Sequence, residues 1–326
     1  MTAKPSDLIV LIDANNTCFR VGWTNRHLTN NGEPTGVIFG VFKELLAVWQ
    51  RWRDAKIAII WDGGTEERLR ISKEAIAKGI LTEEQGYYKQ NRERKRAKEE
   101  AEGKTNDLVE AIDIQKPTLK EILDLTLVDQ IQIEGHEADD VIGTLARIHE
   151  ERGDVIKIIS SDKDMYQLLS ENVSILSISG KGAMTYDSFG GEFNLSPQQW
   201  IDIGALAGDS GDNIIGVKGV GEKTAIKMLL EAQKELGIDS GKATYKDLIS
   251  WIDSKEKKKK KEQNVLDQVD IVHLAYDLKK INKNINGLKP ITYTQSDPLT
   301  LKKWFANLGF ASILPSTGLL TRRAST

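Results

Sequence analysis

Cysteine is nearly absent. Cys18 is the only one in 326 residues, which excludes an intrachain disulfide and a cysteine metal cluster and fits a reducing cytoplasm. Histidine is scarce: His27, His136, His149 and His273 show no HxxxH or HxH spacing, so a zinc centre is not expected. No apolar run approaches the ~20 residues of a membrane helix. The opening Met1-Thr2-Ala3-Lys4-Pro5-Ser6-Asp7 lacks the apolar core of a signal peptide. No internal repeat is present. With 40% hydrophobic and 29% charged residues, the chain reads as globular, one large domain or two ordinary ones.

Acids are plentiful, and their placement carries the reading. Gly135-His136-Glu137-Ala138-Asp139-Asp140 puts three carboxylates at the start of the apolar-periodic run Val141–Ala146. On a helix, Glu137 and Asp140 share a face with Asp139 beside them. One acid suffices to cap a helix N-terminus. Three together repel unless a cation sits among them. Capping and metal binding both remain open on this stretch alone.

Further acids follow buried strands. Leu8–Ile12 is a continuous apolar, β-branched run ending in Asp13, as expected for a strand buried on both faces. Asp13 lies where open α/β sheets bind ligands, although an Asx turn or helix cap would use the same residue. Lys56–Trp61 is a second such strand and ends in Asp62-Gly63-Gly64. Val155–Ile159 is a third and ends in Ser160-Ser161-Asp162-Lys163-Asp164, where Asp164 is also placed to cap a helix over Met165–Leu169. Strand-like runs also cover Val128–Glu134 and Val173–Ile178. Helical periodicity covers 35–53, residues 118–125 after Pro117, and a helix from Glu137 to Arg152 that stops at Gly153. The alternation argues a mostly parallel sheet with helices on both faces.

Residues 65 to about 116 lose apolar character. Lys89, Arg92, Arg94, Lys95, Arg96 and Lys98 follow Tyr87-Tyr88. A solvated charged helix is the ordinary explanation of such a run. Tyr88 and Arg92, four apart with Lys89 beside them, also suit stacking on bases and pairing with phosphates.

From about Gly190 the pattern is helical. A helix over 198–207 leads into Gly208-Asp209-Ser210-Gly211-Asp212-Asn213, and a glycine-rich turn, Gly216-Val217-Lys218-Gly219-Val220-Gly221, precedes a second helix carrying Lys223 and Thr224. Free N–H groups and lysines there form a phosphate-binding arrangement. A P-loop is excluded, because Glu222 intervenes before Lys223-Thr224 and a helix, not a strand, comes first. The run Lys255–Lys261 reads as a flexible solvated loop with access to duplex phosphates. Residues 262–280 and 298–310 read as helices, and the tail from Ser316 as disordered.

Asp13, Asp62, Glu137, Asp139, Asp140, Asp162, Asp164, Asp209 and Asp212 thus form one set, several of them converging on one sheet edge. Setting these nine aside turns the formal charge from −3 to +6, so the net charge does not exclude a nucleic-acid partner. Oxygen-only ligation points to Mg²⁺ or Mn²⁺. Two such ions about 4 Å apart are the device of in-line phosphodiester displacement.

The ordered motifs Asp13-Ala14-Asn15-Asn16, Asp62-Gly63, Gly135–Asp140, Ser161–Asp164 and Gly208–Gly221 resemble those of the structure-specific 5′-nucleases: flap endonucleases, phage 5′-exonucleases and ribonuclease H, and the 5′-nuclease domain of DNA polymerase I. The resemblance covers about 8–310. It implies a PIN-like α/β catalytic domain over 1–187 with a helical arch at about 65–116, and an α-helical domain over 188–326 whose helix–three-turn–helix clamps duplex DNA and often binds K⁺. It assigns Asp13, Asp62, Glu137 and Asp139 to one metal, Asp140 near both, and Asp162, Asp164, Asp209 and Asp212 to the other. Lys89 and Arg92 match arch residues at the scissile phosphate. Tyr88 is expected to stack on a base, and Lys218, Gly219, Gly221, Lys223 and Thr224 to hold duplex DNA.

Ile215 stands where many members have proline and Gly211 where many have serine, next to ligands rather than at them. The implied activity is 5′-3′ exonuclease and flap endonuclease cleavage of DNA or RNA–DNA hybrids, removing flaps or RNA primers in replication. A replication protein such as a single-strand-binding protein or a polymerase is an implied partner. With no polymerase domain following, a free-standing monomer in bacterial or phage-infected host cytoplasm is expected. A junction-binding protein without catalysis and a PIN-type ribonuclease are the alternatives. Retention of every strand-end acid disfavours the first, and the duplex clamp disfavours the second.

Overall fold

The β-branched runs form the strands that their pattern predicts. In chain order the first half runs β1 (Leu8–Asp13), α1 (Ala14–Thr24), a short hairpin of β2 (Thr29–Asn30) and β3 (Glu33–Pro34), α2 (Gly36–Arg51), β4 (Lys56–Trp61), α3 (Glu66–Ala77), α4 (Gln90–Ala101), α5 (Asp107–Leu123), β5 (Val128–Gln132), α6 (Ala138–Glu150), β6 (Val155–Ile159), a 3-10 helix over Lys163–Leu168, β7 (Val173–Leu176) and β8 (Ala183–Met184). The second half is helical: α7 (Tyr186–Phe193), α8 (Gln199–Ala207), α9 (Glu222–Glu235), α10 (Tyr245–Asp253), α11 (Lys260–Asp267), α12 (Val269–Lys279), α13 (Pro298–Asn307) and a 3-10 helix over Leu314–Leu320. This computed structural model describes residues 6–102, 107–176, 182–292 and 296–321.

The sheet order is β5-β4-β1-β6-β7-β8, parallel except for β8. Asp13 pairs with Ile60 and Ile12 with Ile159. The carboxyl ends of β1, β4 and β6 therefore finish level, and the acids after them share one edge. Alternation along β1 divides the core. Val10 and Ile12 face the cluster built with α1, α2, α5 and α13. Ile9 and Leu11 face α6 and the helices of the second half. The expected parallel sheet with helices on both faces, followed by helices, is borne out.

Four local expectations are corrected. Pro117 does not open a helix; it lies inside α5, which begins at Asp107. Ile112, Leu119, Ile122 and Leu123 are buried along that helix, and their packing outweighs the one backbone bond proline removes. The single helix expected over 262–280 is two, broken at Gln268.

The lysine run is not a free loop. Buried Glu262 accepts from Lys255 Nζ and from the Lys259 backbone N–H, both at 2.6 Å, and the Lys255 ammonium lies over the Trp251 ring. The tail is ordered through Thr321. Leu320 is fully buried, its carbonyl accepts from Leu127 N at 3.1 Å, and Phe305 of α13 meets Phe42 of α2 edge to face at 4.9 Å. Residues 177 and 178 of the run expected over 173–178 lie outside the described residues.

Candidate active site

Asp13 and Asp162 each cap the helix that follows, whereas Asp62 is held from α6 and α1. Asp13 caps α1, accepting from Asn16 N at 3.0 Å, and Ser160 Oγ donates to it at 3.2 Å. Burial pushes its carboxyl up to about 7, and Asp62 and Asp162 add to the effect against the Asn16 bond. Asp62 accepts from the backbone N–H of Ala138 at 2.7 Å and from Asn15, so it faces the positive end of α6. Gly63 is required there: an added Cβ would stand 1.9 Å from the Ile133 carbonyl oxygen. The Asp139 side chain has no hydrogen-bond or ion-pair partner among the described residues, and burial, then Glu137, Asp162 and Asp13, hold its carboxyl well above the usual range. Asp162 caps the following 3-10 helix through Asp164 N at 2.8 Å.

The loop after α8 supplies the remaining acids. Gly208, at φ +69°, and Gly216 touch so closely that a Cβ on Gly208 would meet Gly216 N at 2.3 Å. This pinch lets Asp209 and Ile214 exchange two backbone bonds of 2.8 Å. Asp209 and Asp212 are thereby turned toward the sheet edge.

The start of α4 docks on that loop. Lys89 adopts a left-handed backbone at φ 58°, and its N–H donates to the Asp212 carbonyl at 2.8 Å. Asn213 Nδ2 donates to the carbonyls of Gln85 and Tyr87 at 2.9 and 2.8 Å. Lys89 Nζ pairs with Glu137, and Arg92 pairs with Asp212. Burial opposes the charge of Lys89, but Glu137 and Asp212 outweigh it and raise the ammonium. The structure thus brings Lys89 and Arg92 to the acids.

Tyr88 is corrected. It is 3% exposed rather than offered for base stacking, and its hydroxyl lies 3.0 Å from Glu137 and 3.2 Å from Asp212. Its backbone N–H is anchored by Ser72 Oγ, which turns the ring inward. Asp140, expected near both ions, has partners of its own. Its oxygens accept from Arg68 at 2.8 and 2.9 Å and from Asn282 N at 2.8 Å, which leaves it engaged as a structural partner.

Two basic residues were not singled out from the sequence. Arg68 of α3 bonds Asp140, Glu137 and the Leu278 carbonyl. Burial opposes its charge and the two acids hold it on. Lys279, the last residue of α12, places Nζ between Asp164 and Asp209. Lys279 is 115 residues from Asp164, and no sequence pattern links them. Arg68 lies in an ordinary charged run, Glu66–Arg70, with no signal of its burial.

With these cations in place, no three Asp, Glu, His or Cys groups among the described residues stand near enough to hold one ion. The donor chemistry nonetheless suits a hard divalent cation. The acids offer oxygen ligands only, the Asp139 carboxylate has no partner among the described residues, and burial with like charge drives Asp13 and Asp139 toward protonation.

The glycine turn presents Lys218, Gly219, Gly221 and Lys223 exposed, with Thr224 half-buried. Gly219 is left-handed at φ +80°, and Gly221 is the N-cap of α9. Asn264 of α11 buttresses the turn by donating to the Lys218 carbonyl at 2.8 Å. Lys223, Thr224 and Lys227 with Lys259–Lys261 line a groove of about 520 Å³, and Lys261 Nζ reaches Thr224 Oγ1 at 3.3 Å.

A parallel sheet with an acidic carboxyl edge, two arch cations and a helical second half defines a nuclease-type α/β protein. Residues 8–193 match the 5′-3′ exonuclease N-terminal resolvase-like domain, and residues 195–301 match the 5′-3′ exonuclease C-terminal SAM fold. The chain belongs to the 5′-3′ exonuclease family, whose chemistry is phosphodiester hydrolysis.

It is 32% identical over 223 residues to a 5′-3′ exonuclease of Buchnera aphidicola subsp. Schizaphis graminum, covering 68% of this chain and 69% of that protein. It is 30% identical over 322 residues to the thermostable DNA polymerase I of Thermus aquaticus, covering 97% of this chain and 34% of that protein. The chain thus spans about a third of the polymerases it matches. A structure of bacteriophage T5 5′-exonuclease with bound zinc shares the fold at a TM-score of 0.63 and 21% identity, covering 95% of this chain and 96% of that one. The catalytic core of Rad2 in complex with DNA shares it at 0.57 and 18%, covering 97% and 93%. Among the described residues no helix is long and apolar enough to cross a membrane.

Proposed function

We propose that this chain is a divalent-metal-dependent 5′-nuclease that cleaves near the 5′ ends of duplex DNA or RNA–DNA hybrids and removes 5′ flaps or RNA primers. The observation that carries the reading is the meeting of acids from three strand ends, the α6 N-terminus and the 208–213 loop with Lys89 and Arg92 at one sheet edge.

Asp13, Asp62, Glu137 and Asp139 would hold one ion, and Asp162, Asp164, Asp209 and Asp212 the other. Mg²⁺ is the expected ion and Mn²⁺ its substitute; bound there, they would acidify a water and stabilise the leaving oxygen. Lys89 and Arg92 would swing from Glu137 and Asp212 to the phosphate, where fixed cations stabilise the charge gained in the transition state. Gly219, Gly221, Lys218, Lys223 and Thr224 would hold the duplex backbone through N–H groups and ammonium charge, with K⁺ at the turn carbonyls.

The catalytic domain is read as 1–187 and the clamp domain as 188–326. Protein partners such as a polymerase or a single-strand-binding protein would belong to the same replication setting, in which the chain acts as a monomer in the cytoplasm. The test is cleavage of end-labelled flap, nicked and hybrid substrates by wild type and Asp62→Asn, with and without Mg²⁺. Mg²⁺-dependent cleavage lost in Asp62→Asn, with duplex binding kept, supports the reading. Wild-type turnover in Asp62→Asn removes that residue from the site.

A further inference from the structure

The Lys279 side chain is built into the fold rather than resting on its surface. It is 8% exposed. Its stem lies in a notch left by Gly204 of α8, where an added Cβ would stand 3.1 Å from Lys279 Cε and 3.4 Å from Cγ. Its carbonyl accepts from Gln167 Nε2 at 3.0 Å, tying the end of α12 to the 3-10 helix that carries Asp164. The ammonium then spans two elements, bonding Asp164 and, at 2.9 Å, Asp209. The two acids differ: burial pushes Asp164 up to about 6 against the pull of Lys279. Asp209 is held low, since Lys279 and the N–H groups of Gly211 and Asp212 overcome its burial.

The other group of acids is built differently. Arg68 engages Glu137 and Asp140, and Lys89 engages Glu137, but Asp13, Asp62 and Asp139 have no ion pair among the described residues. An ion entering among those three has no ion-paired cation to displace from them. An ion entering between Asp164 and Asp209 must displace a buried ammonium from both.

We propose that Lys279 is a resident counter-cation of the Asp164–Asp209 pair that competes with the second divalent ion, so that the two metal sites fill in sequence, the Asp13–Asp62–Asp139 side first. Lys279 is a positioning residue: it touches neither substrate nor the reacting atoms. It holds the 208–213 loop against the sheet edge without metal and weakens the second site by its charge. The inference rests on the two-metal reading above.

The experiment is a Mn²⁺ titration of the metal-free full chain, followed by electron paramagnetic resonance of free Mn²⁺. Wild type is expected to show two classes of site, the second at least tenfold weaker. Lys279→Met, which keeps the stem against Gly204, is expected to tighten the second class at least tenfold. Lys279→Arg, which keeps the charge, is expected to leave both classes as in wild type. Lys279→Gln, which keeps a donor for the acids, tests the same point should the methionine variant not fold without metal. An isotherm for the neutral variant matching wild type overturns the proposal and leaves the two-metal reading standing. An Asp164→Asn isotherm matching wild type overturns the two-metal reading itself, and the proposal with it.

Discussion

Arg68 forks onto Asp140, NH1 to Oδ2 at 2.8 Å and NH2 to Oδ1 at 2.9 Å, and the same NH1 reaches Glu137 at 2.6 Å. All three residues are buried. Breaking a buried pair from one side leaves an uncompensated charge, at a cost of about 3–5 kcal/mol. Arg68→Met is expected to destabilise the metal-free protein by that order in denaturant titration. Removing both charges, in Arg68→Met with Asp140→Leu, should recover part of the loss. A double variant as unstable as the sum of the singles would show that the pair acts only through separate contacts.

Lys89 and Arg92 act on the chemical step in the proposed mechanism. Each is expected, on replacement by alanine, to slow single-turnover cleavage by roughly 10²-fold, as for a lost transition-state donor. Duplex affinity should fall far less, and Mg²⁺ dependence should be unchanged. A solvated charged helix would give wild-type rates at saturating enzyme.

The exposed lysines of the glycine turn predict a salt-dependent clamp. Lys218→Ala with Lys223→Ala is expected to weaken duplex binding and flatten its dependence on salt, because fewer counterions are released per complex. Binding isotherms at several salt concentrations measure this. Equal affinity and equal slope would remove the turn from the interface.

Asp202 sits inside α8, 4% exposed, and accepts from Tyr245 N at 2.8 Å. Burial pushes it up to about 7 from an ordinary 3.8. Its folded pKa lies above its unfolded one, so the folded state holds the proton more tightly. Its contribution to stability is full below about pH 4, declines as pH rises, and levels off above about pH 7. Asp202→Asn is expected to reduce the loss of stability between pH 4 and 7 relative to wild type. Urea unfolding across that range reads it, and parallel pH profiles would refute it.

The sequence by itself determined the sheet and the acid set. Short, continuous β-branched runs bounded by turn residues read as strands buried on both faces, and parallel pairing sends Asp13, Asp62 and Asp162 to one edge whatever the helices do. Motif order did the rest, since each acid follows its element within a few residues. What the tertiary structure alone decided is which cations sit with those acids and where the aromatic faces point. Arg68, Lys279 and Asn282 reach the acids across long stretches of chain, and no local period encodes a contact at that separation. Tyr88 reads as a surface ring because its neighbours are charged, yet Ser72 and Glu137 draw it inside. The tail reads as disordered because it is short and polar at its end. Its leucines nevertheless complete a core whose other half lies in α2 and α5, and burial of apolar surface is settled by partners distant in the chain.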